Sequence, residues 1–238
     1  MLLSLWSPMG GSGTSVVAAA CAIVLAAEHG ARLVDLDGDQ AAVLGLATSA
    51  VAANRPGAPQ GVRDWLAAGP GAPADALDRL AVDVGAGLVL VPPGGADRAA
   101  DGEAGAALAV VLRESGASVI ADCGRADDDA GRALVELSDY AVVVIRPCYL
   151  SLRRAALDDL VRGASGIVMV EEAGRTLGAR EVADVLGVPV LATVPVRASI
   201  ARVVDAGVLV ARLPDGLARP ARTLLERLGM SRSRGNAA

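Results

Sequence analysis

Near the N-terminus, Met9-Gly10-Gly11-Ser12-Gly13-Thr14-Ser15 lies between a short apolar run and a long helical pattern. A loop of this kind can hold phosphate. Successive backbone N–H groups turn inward, small residues let the chain approach the oxygens, and the following helix adds partial positive charge. Gly10, Gly11, Ser12 and Gly13 supply such a cradle, Thr14 or Ser15 opens the helix, and the Ser15 hydroxyl is placed to reach Mg²⁺. Acidic groups could work beside it. Asp35-Leu36-Asp37 ends a second apolar run and Asp122 ends a later one, at strand tips where open α/β sheets bind ligands. Singly, each glycine could serve packing and each acid could cap a turn. Together they describe a site for a phosphate and a divalent cation.

Such loops normally place a lysine on the phosphates. This chain of 238 residues has none: all 22 of its basic side chains are arginine. Phe is also absent, and Ala, Arg, Gly and Asp are abundant, which fits a GC-rich coding bias. A bias accounts for lysine missing from the surface, but seldom for one that chemistry requires.

The elements that must position these residues follow from hydrophobic periodicity. Seven nearly continuous apolar runs read as strands covered on both faces: Leu2–Ser7, Arg32–Leu36, Gly87–Val91, Ser118–Cys123, Tyr140–Ile145, Gly166–Val170 and Val188–Val194. Helical patterns fall between them at Thr14–Glu28, Glu103–Ser115, Asp129–Leu137, Leu150–Arg162, Ala179–Leu186 and Ser199–Asp205. The alternation predicts an α/β fold with a doubly wound, mainly parallel sheet of seven to eight strands. The Ala-, Pro- and Gly-rich stretch from Ala50 to Ala76 reads as a surface excursion around a short helix, Val62–Ala67, and Pro92–Gly102 as another loop. A last amphipathic helix covers Leu217–Leu228, with its leucines expected to pack on the domain. Residues 1–230 are expected to form a single domain and 231–238 a disordered basic tail.

Composition bounds the rest. With 53% hydrophobic residues and only 2% aromatics, the core must be built from Val, Leu and Ala. Cys21, Cys123 and Cys148 are far apart in apolar segments, with no metal-ligand spacing, and read as buried reduced thiols. No signal peptide or apolar run of transmembrane length is evident, so a cytoplasmic protein is expected. The net charge of -5 is unevenly spread: from Arg197 onward eight arginines face three acids. That basic region could meet DNA phosphates or anionic lipid, or simply be a solvated face.

In this order the motifs resemble the MinD/ParA family of P-loop ATPases, of SIMIBI-type architecture, and within it the CpaE/TadZ-like branch. Met9 to Ser15 aligns with the family's loop, K-G-G-x-G-K-S/T. Val34-Asp35-Leu36-Asp37-Gly38-Asp39-Gln40 is similar to its D-x-D segment, and Ile120-Ala121-Asp122-Cys123-Gly124 to its Walker B strand and turn. Ser138 through Arg154, Gly178 through Pro195, and Val204-Asp205-Ala206-Gly207 continue the likeness, which spans roughly residues 2 to 228. The resemblance implies ATP or ADP with Mg²⁺ in the loop. It casts Ser15, Asp35 and Asp122 as metal ligands, direct or through water, and Asp37 as the water-positioning carboxylate. It implies a homodimer, protein partners of a positioning system, and contact with DNA or an anionic membrane through the basic C-terminal region. The location would be cytoplasmic or peripheral at the inner membrane face.

The departures from the family fall on the chemistry. Met9 stands at the signature lysine and Thr14 at the lysine of the β/γ phosphates; Arg125, Arg146 or Arg153 could substitute from outside the loop. Glu171-Glu172 occupies the region of the family's base-reading Asn. The expectation is a positioning or scaffold protein for cell division, pilus or secretion machinery, or partitioning. Its nucleotide site would be degenerate, with little or no hydrolysis. The alternative is a slow ATPase that switches between monomer and nucleotide-sandwich dimer.

Overall fold

The computed structural model describes residues 1–46, 60–96, 100–174 and 177–231. Its strands are β1 (Leu2–Trp6), β2 (Ala31–Asp35), β3 (Val82–Gly85), β4 (Leu88–Val91), β5 (Val119–Asp122), β6 (Tyr140–Ile145), β7 (Gly166–Glu171) and β8 (Val190–Pro195). They form one sheet in the order β3-β4-β2-β5-β1-β6-β7-β8. Every neighbouring pair is parallel except β3 with β4, a short antiparallel edge.

Alternation along the strands sends side chains to two cores. Leu3 and Leu5 of β1 join one; Leu2 and Trp6 join the other. The first core is covered by α1 (Thr14–His29), α2 (Gln40–Leu44), α10 (Ala198–Asp205) and α11 (Asp215–Arg227). The second lies under α3 (Val62–Ala67), α4 (Ala74–Leu80), α5 (Gly102–Glu114), α6 (Asp129–Leu137), α7 (Tyr149–Leu157), α8 (Asp159–Arg162) and α9 (Ala179–Leu186). This is the doubly wound α/β architecture that the periodicity predicts. The leucines of α11 are spent on packing: Leu217, Leu224 and Leu225 are buried against the first core. Among the described residues no helix is long and apolar enough to cross a membrane.

Several details differ from the sequence reading. The predicted helix Leu150–Arg162 breaks at Asp158, whose carboxylate accepts from the Leu160 N–H and starts α8. The stretch after the short helix at Val62 holds α4 and then β3, which carries only four residues and is mostly half-buried. Such an edge strand has no continuous apolar run to announce it. Helix α2 was also missed; its five residues are too few to show a period. Cys21 and Cys123 are buried as expected, but Cys148, at the N-terminus of α7 beyond the carboxyl end of β6, is only half-buried. Parts of the expected excursion from Ala50, of the loop from Pro92, and the basic tail beyond Ser231 lie outside the described residues.

Candidate functional site

Strand order decides which loops meet. β1 sits between β5 and β6. Its chain leaves toward α1 on the first core, whereas the chain from β5 leaves toward α6 on the second. The two exits diverge at the carboxyl edge, which opens a crevice there. The glycine loop fills that crevice. The Ser7 N–H donates to the Gly124 carbonyl at 2.8 Å, tying the foot of the loop to the turn after β5. Inside the loop the Ser7 hydroxyl donates to Ser12 Oγ at 2.8 Å, and the Ser12 hydroxyl donates to the Met9 carbonyl at 2.8 Å. Gly11 (φ 75°) and Gly13 (φ 86°) are left-handed, a conformation that costs glycine little and other residues more. A side chain at Gly11 would still meet open space. Gly13 caps α1 without any side-chain bond, so the first-turn N–H groups of this long helix face the loop uncapped.

The acids gather on the β5 side. Asp35 and Asp122 are register partners on adjacent strands, and both are fully buried. Gln40 Nε2 donates to Asp122 at 2.7 Å, and the Ser15 hydroxyl lies on the same carboxylate's side and favours its charged form. The same Gln40 nitrogen donates to the Ser15 carbonyl at 2.9 Å, while its buried Oε1 finds no donor. Asp35 is turned onto its own loop, accepting from Gly38 N–H at 2.6 Å and Gln40 N–H at 3.0 Å. Burial, with help from the neighbouring Asp122 charge, pushes the Asp35 carboxyl up to about 7, against the lowering effect of the Gly38 and Gln40 N–H groups. Burial likewise pushes Asp122 up to about 6, against the lowering effect of Gln40 and Ser15.

Asp37 stands outside this buried group. Its carboxylate lies on Gly124, where a Cβ would come within 2.2 Å of Asp37 Oδ1. Burial raises its pKa, as does Asp39, while Arg63 and Arg125 lower it. Arg63 was not anticipated as part of the site. From α3 its Nη2 donates to the carbonyls of Leu36 at 2.8 Å and Asp37 at 3.0 Å, clamping the acidic turn. Its only sequence signal was an arginine on a predicted short helix. A cavity of about 440 Å³ opens between this turn and the segment after β5, lined by Asp37, Arg63, Arg125, Asp127 and Asp128 among others. No residue from Gly10 to Ser15 lines it.

The three arginines considered as substitutes are placed differently. The Arg125 stem passes Gly10, with Cδ 3.8 Å from where a Gly10 Cβ would sit, but its guanidinium pairs with Asp127 at 2.5 Å. Arg146, just past β6, puts Nη1 3.4 Å from the Gly11 carbonyl and Nη2 3.5 Å from Glu172. Arg153 is exposed on α7. Thr14, at the position of the loop lysine, is buried.

These residues fit a magnesium nucleotide in part. The left-handed glycines and the uncapped helix suit phosphate oxygens. Ser15 with Asp122 suits a hydrated Mg²⁺, which binds through few protein oxygens and keeps several waters. Among the described residues no group of three or more His, Cys, Asp or Glu could hold a metal alone, so the phosphates would have to complete its shell. What the donor set lacks is a cation inside the loop.

No family model matches the chain, and no curated protein sequence does. Solved structures resemble it over nearly its whole length. The MinC:MinD cell division complex of Aquifex aeolicus has a chain that is 18% identical, with a TM-score of 0.75, 98% of this chain covered and 96% of that one. The septum site-determining protein MinD of Pyrococcus horikoshii, complexed with Mg-ADP, is 17% identical with a TM-score of 0.73, at 95% of each chain. A ParA family ATPase from Chlorobium tepidum is 21% identical with a TM-score of 0.71, covering 92% of this chain and 96% of that one. These likenesses give the chain the fold of the MinD and ParA P-loop ATPases.

Proposed function

We propose that this chain is a MinD/ParA-like positioning protein of the CpaE/TadZ-like kind, whose loop binds ADP or ATP weakly and hydrolyses it little or not at all. The observation that carries this reading is the pairing of an intact cradle with a neutral interior. Gly11 and Gly13 keep the loop geometry and Ser15 stands beside Asp122, yet Met9 and the buried Thr14 stand where two lysines would neutralise phosphate charge. Gly10, Gly11, Ser12, Gly13, Thr14 and Ser15 would hold the phosphates. Ser15 and Asp122, with Asp35 behind them, would hold Mg²⁺. A bound nucleotide would bring the metal and the phosphoanhydride; the chain contributes orientation and hydrogen bonds. Asp37 would be the water-orienting carboxylate; it lies against Gly124, and Arg63 fixes its backbone. With neither lysine inside the loop, charge developing in phosphoryl transfer is opposed less well than in lysine-bearing loops, at a cost of several kcal/mol in the barrier.

In this role the molecule is a scaffold or regulator within a cytoplasmic positioning system, acting as a homodimer with protein partners. MinD of Aquifex aeolicus was solved with MinC, which supports a protein partner of that kind. The exposed Arg197, Arg202 and Arg212 offer a basic surface for DNA or anionic lipid, whereas α11 keeps its leucines in the core and has none to insert into a bilayer. A second reading, a slow ATPase that alternates between monomer and nucleotide-sandwich dimer, is favoured by Arg146 lying against the loop.

Phosphate release at saturating Mg-ATP tests the choice. The proposal expects a rate near background that Asp37→Ala does not lower further. Turnover clearly above background, abolished by Asp37→Ala, would establish the second reading instead.

A further inference from the structure

We propose that Arg146 supplies, in cis, the cation for phosphates bound in the glycine loop, and that Glu172 parks it at the loop's rim. The inference rests on the loop being a phosphate site. Because β6 is hydrogen-bonded to β1, the residue that follows β6 emerges on the flank of the loop opposite Asp122. Arg146 is that residue, and its guanidinium already touches the loop at Gly11. Glu172 reaches it from the end of β7, the next strand over.

Both contacts are long, 3.4 and 3.5 Å, and the two side chains are 37% and 38% exposed. A half-exposed pair of this kind contributes little to stability, so the guanidinium can leave it at small cost. Of the neighbouring arginines, Arg63 is held by the carbonyls of Leu36 and Asp37, and Arg125 follows β5 on the acidic flank, where it pairs with Asp127. Electrostatics gives the group a task. Asp35, Asp37 and Asp122 crowd one side of the loop and Thr14 adds no charge, so a polyphosphate there needs a positive group from the opposite flank. A guanidinium is long enough to come from the rim, and its fork suits two phosphate oxygens.

Calorimetric titration of the full chain with Mg-ADP, Mg-ATP and inorganic pyrophosphate tests this, using Arg146→Ala, Arg146→Lys, Glu172→Gln, Arg125→Ala and Arg153→Ala. Arg146→Ala should weaken binding roughly tenfold to hundredfold, the size expected for loss of one charge-assisted contact, with the ligand-free Tm unchanged. Arg146→Lys should recover part of the loss. Glu172→Gln should bind more tightly than the parent, because the guanidinium no longer has to leave a carboxylate; unchanged affinity would remove the parking role. If the parent chain binds and Arg146→Ala binds equally well, or if the loss follows Arg125 or Arg153 instead, the assignment to Arg146 is overturned while the loop remains a phosphate site. If the parent chain binds none of the three ligands, the phosphate reading of the loop fails and the inference with it. A loss seen only at protein concentrations where dimers form would place the guanidinium across a dimer seam and contradict its action in cis.

Discussion

The loop has two flanks, and they are built on opposite principles. On the β5 side, Asp35, Asp122 and Gln40 are packed into a buried group, with half-buried Ser15 beside it, and register and backbone donors set its geometry. On the β6 side, Arg146 and Glu172 meet at the surface through long contacts. A buried polar group strengthens every interaction it makes and penalises each one it lacks. An exposed pair is weak and easily rearranged. The difference suggests a division of labour: the acidic flank is fixed before any ligand arrives, whereas the basic flank adjusts to it.

If that contrast holds, substitutions on the buried flank should be costly and those on the exposed flank nearly silent in the ligand-free protein. The largest expected effect is Gln40→Ala. It removes the Nε2 donor shared by Asp122 and the Ser15 carbonyl, and should destabilise by about 2–3 kcal/mol, read as a fall in denaturation midpoint. A near-neutral Gln40→Ala would mean that water replaces the amide and that the flank is not fixed.

Gly124→Ala comes next. The new methyl would collide with the Asp37 carboxylate and sit at φ 54°, for a loss of about 1–2 kcal/mol. Its NMR signature is displacement of the Asp37 resonances, and their persistence would show that the two residues do not touch.

A smaller effect concerns pH. Asp35 and Asp122 have folded values of about 7 and 6 against an ordinary 3.8, so the folded chain retains protons that the unfolded chain has released. The stability this brings is fully present below pH 3.8 and is lost as pH rises through 6 and 7. Between pH 5 and 8 the Tm of the ligand-free chain should therefore fall by a few °C, and Asp122→Asn should flatten that slope. An unchanged slope in the variant would show that the carboxylate is already ionised across this range. Smallest of all, Glu172→Gln should move ligand-free stability by no more than about 0.5 kcal/mol.

The same contrast explains what the sequence revealed. Strands β1, β2, β5, β6 and β7 are buried on both faces, so continuous runs such as Val142-Val143-Val144-Ile145 mark them. The glycine loop and the acids at strand tips are local in sequence, and each motif names its own residues. The rest depends on contacts across long separations. Arg63 meets Leu36 and Asp37 only because α3 packs over the end of β2, and Arg146 meets Glu172 only because β6 and β7 are neighbours. Gln40 lies within a recognisable segment, yet its link to Asp122 spans 82 residues. No spacing rule announces such pairs; strand order does.

The central claim is that a loop without lysine still holds a nucleotide. Thermal unfolding of the full chain with increasing Mg-ADP tests it most directly, since a ligand that binds the folded state must raise Tm by mass action. The account predicts a rise that appears at high micromolar to millimolar Mg-ADP, saturates, and is lost when the loop is blocked by Gly13→Val, a residue now at φ 86°. No shift at millimolar Mg-ADP, or the same shift in the blocked variant, would contradict it.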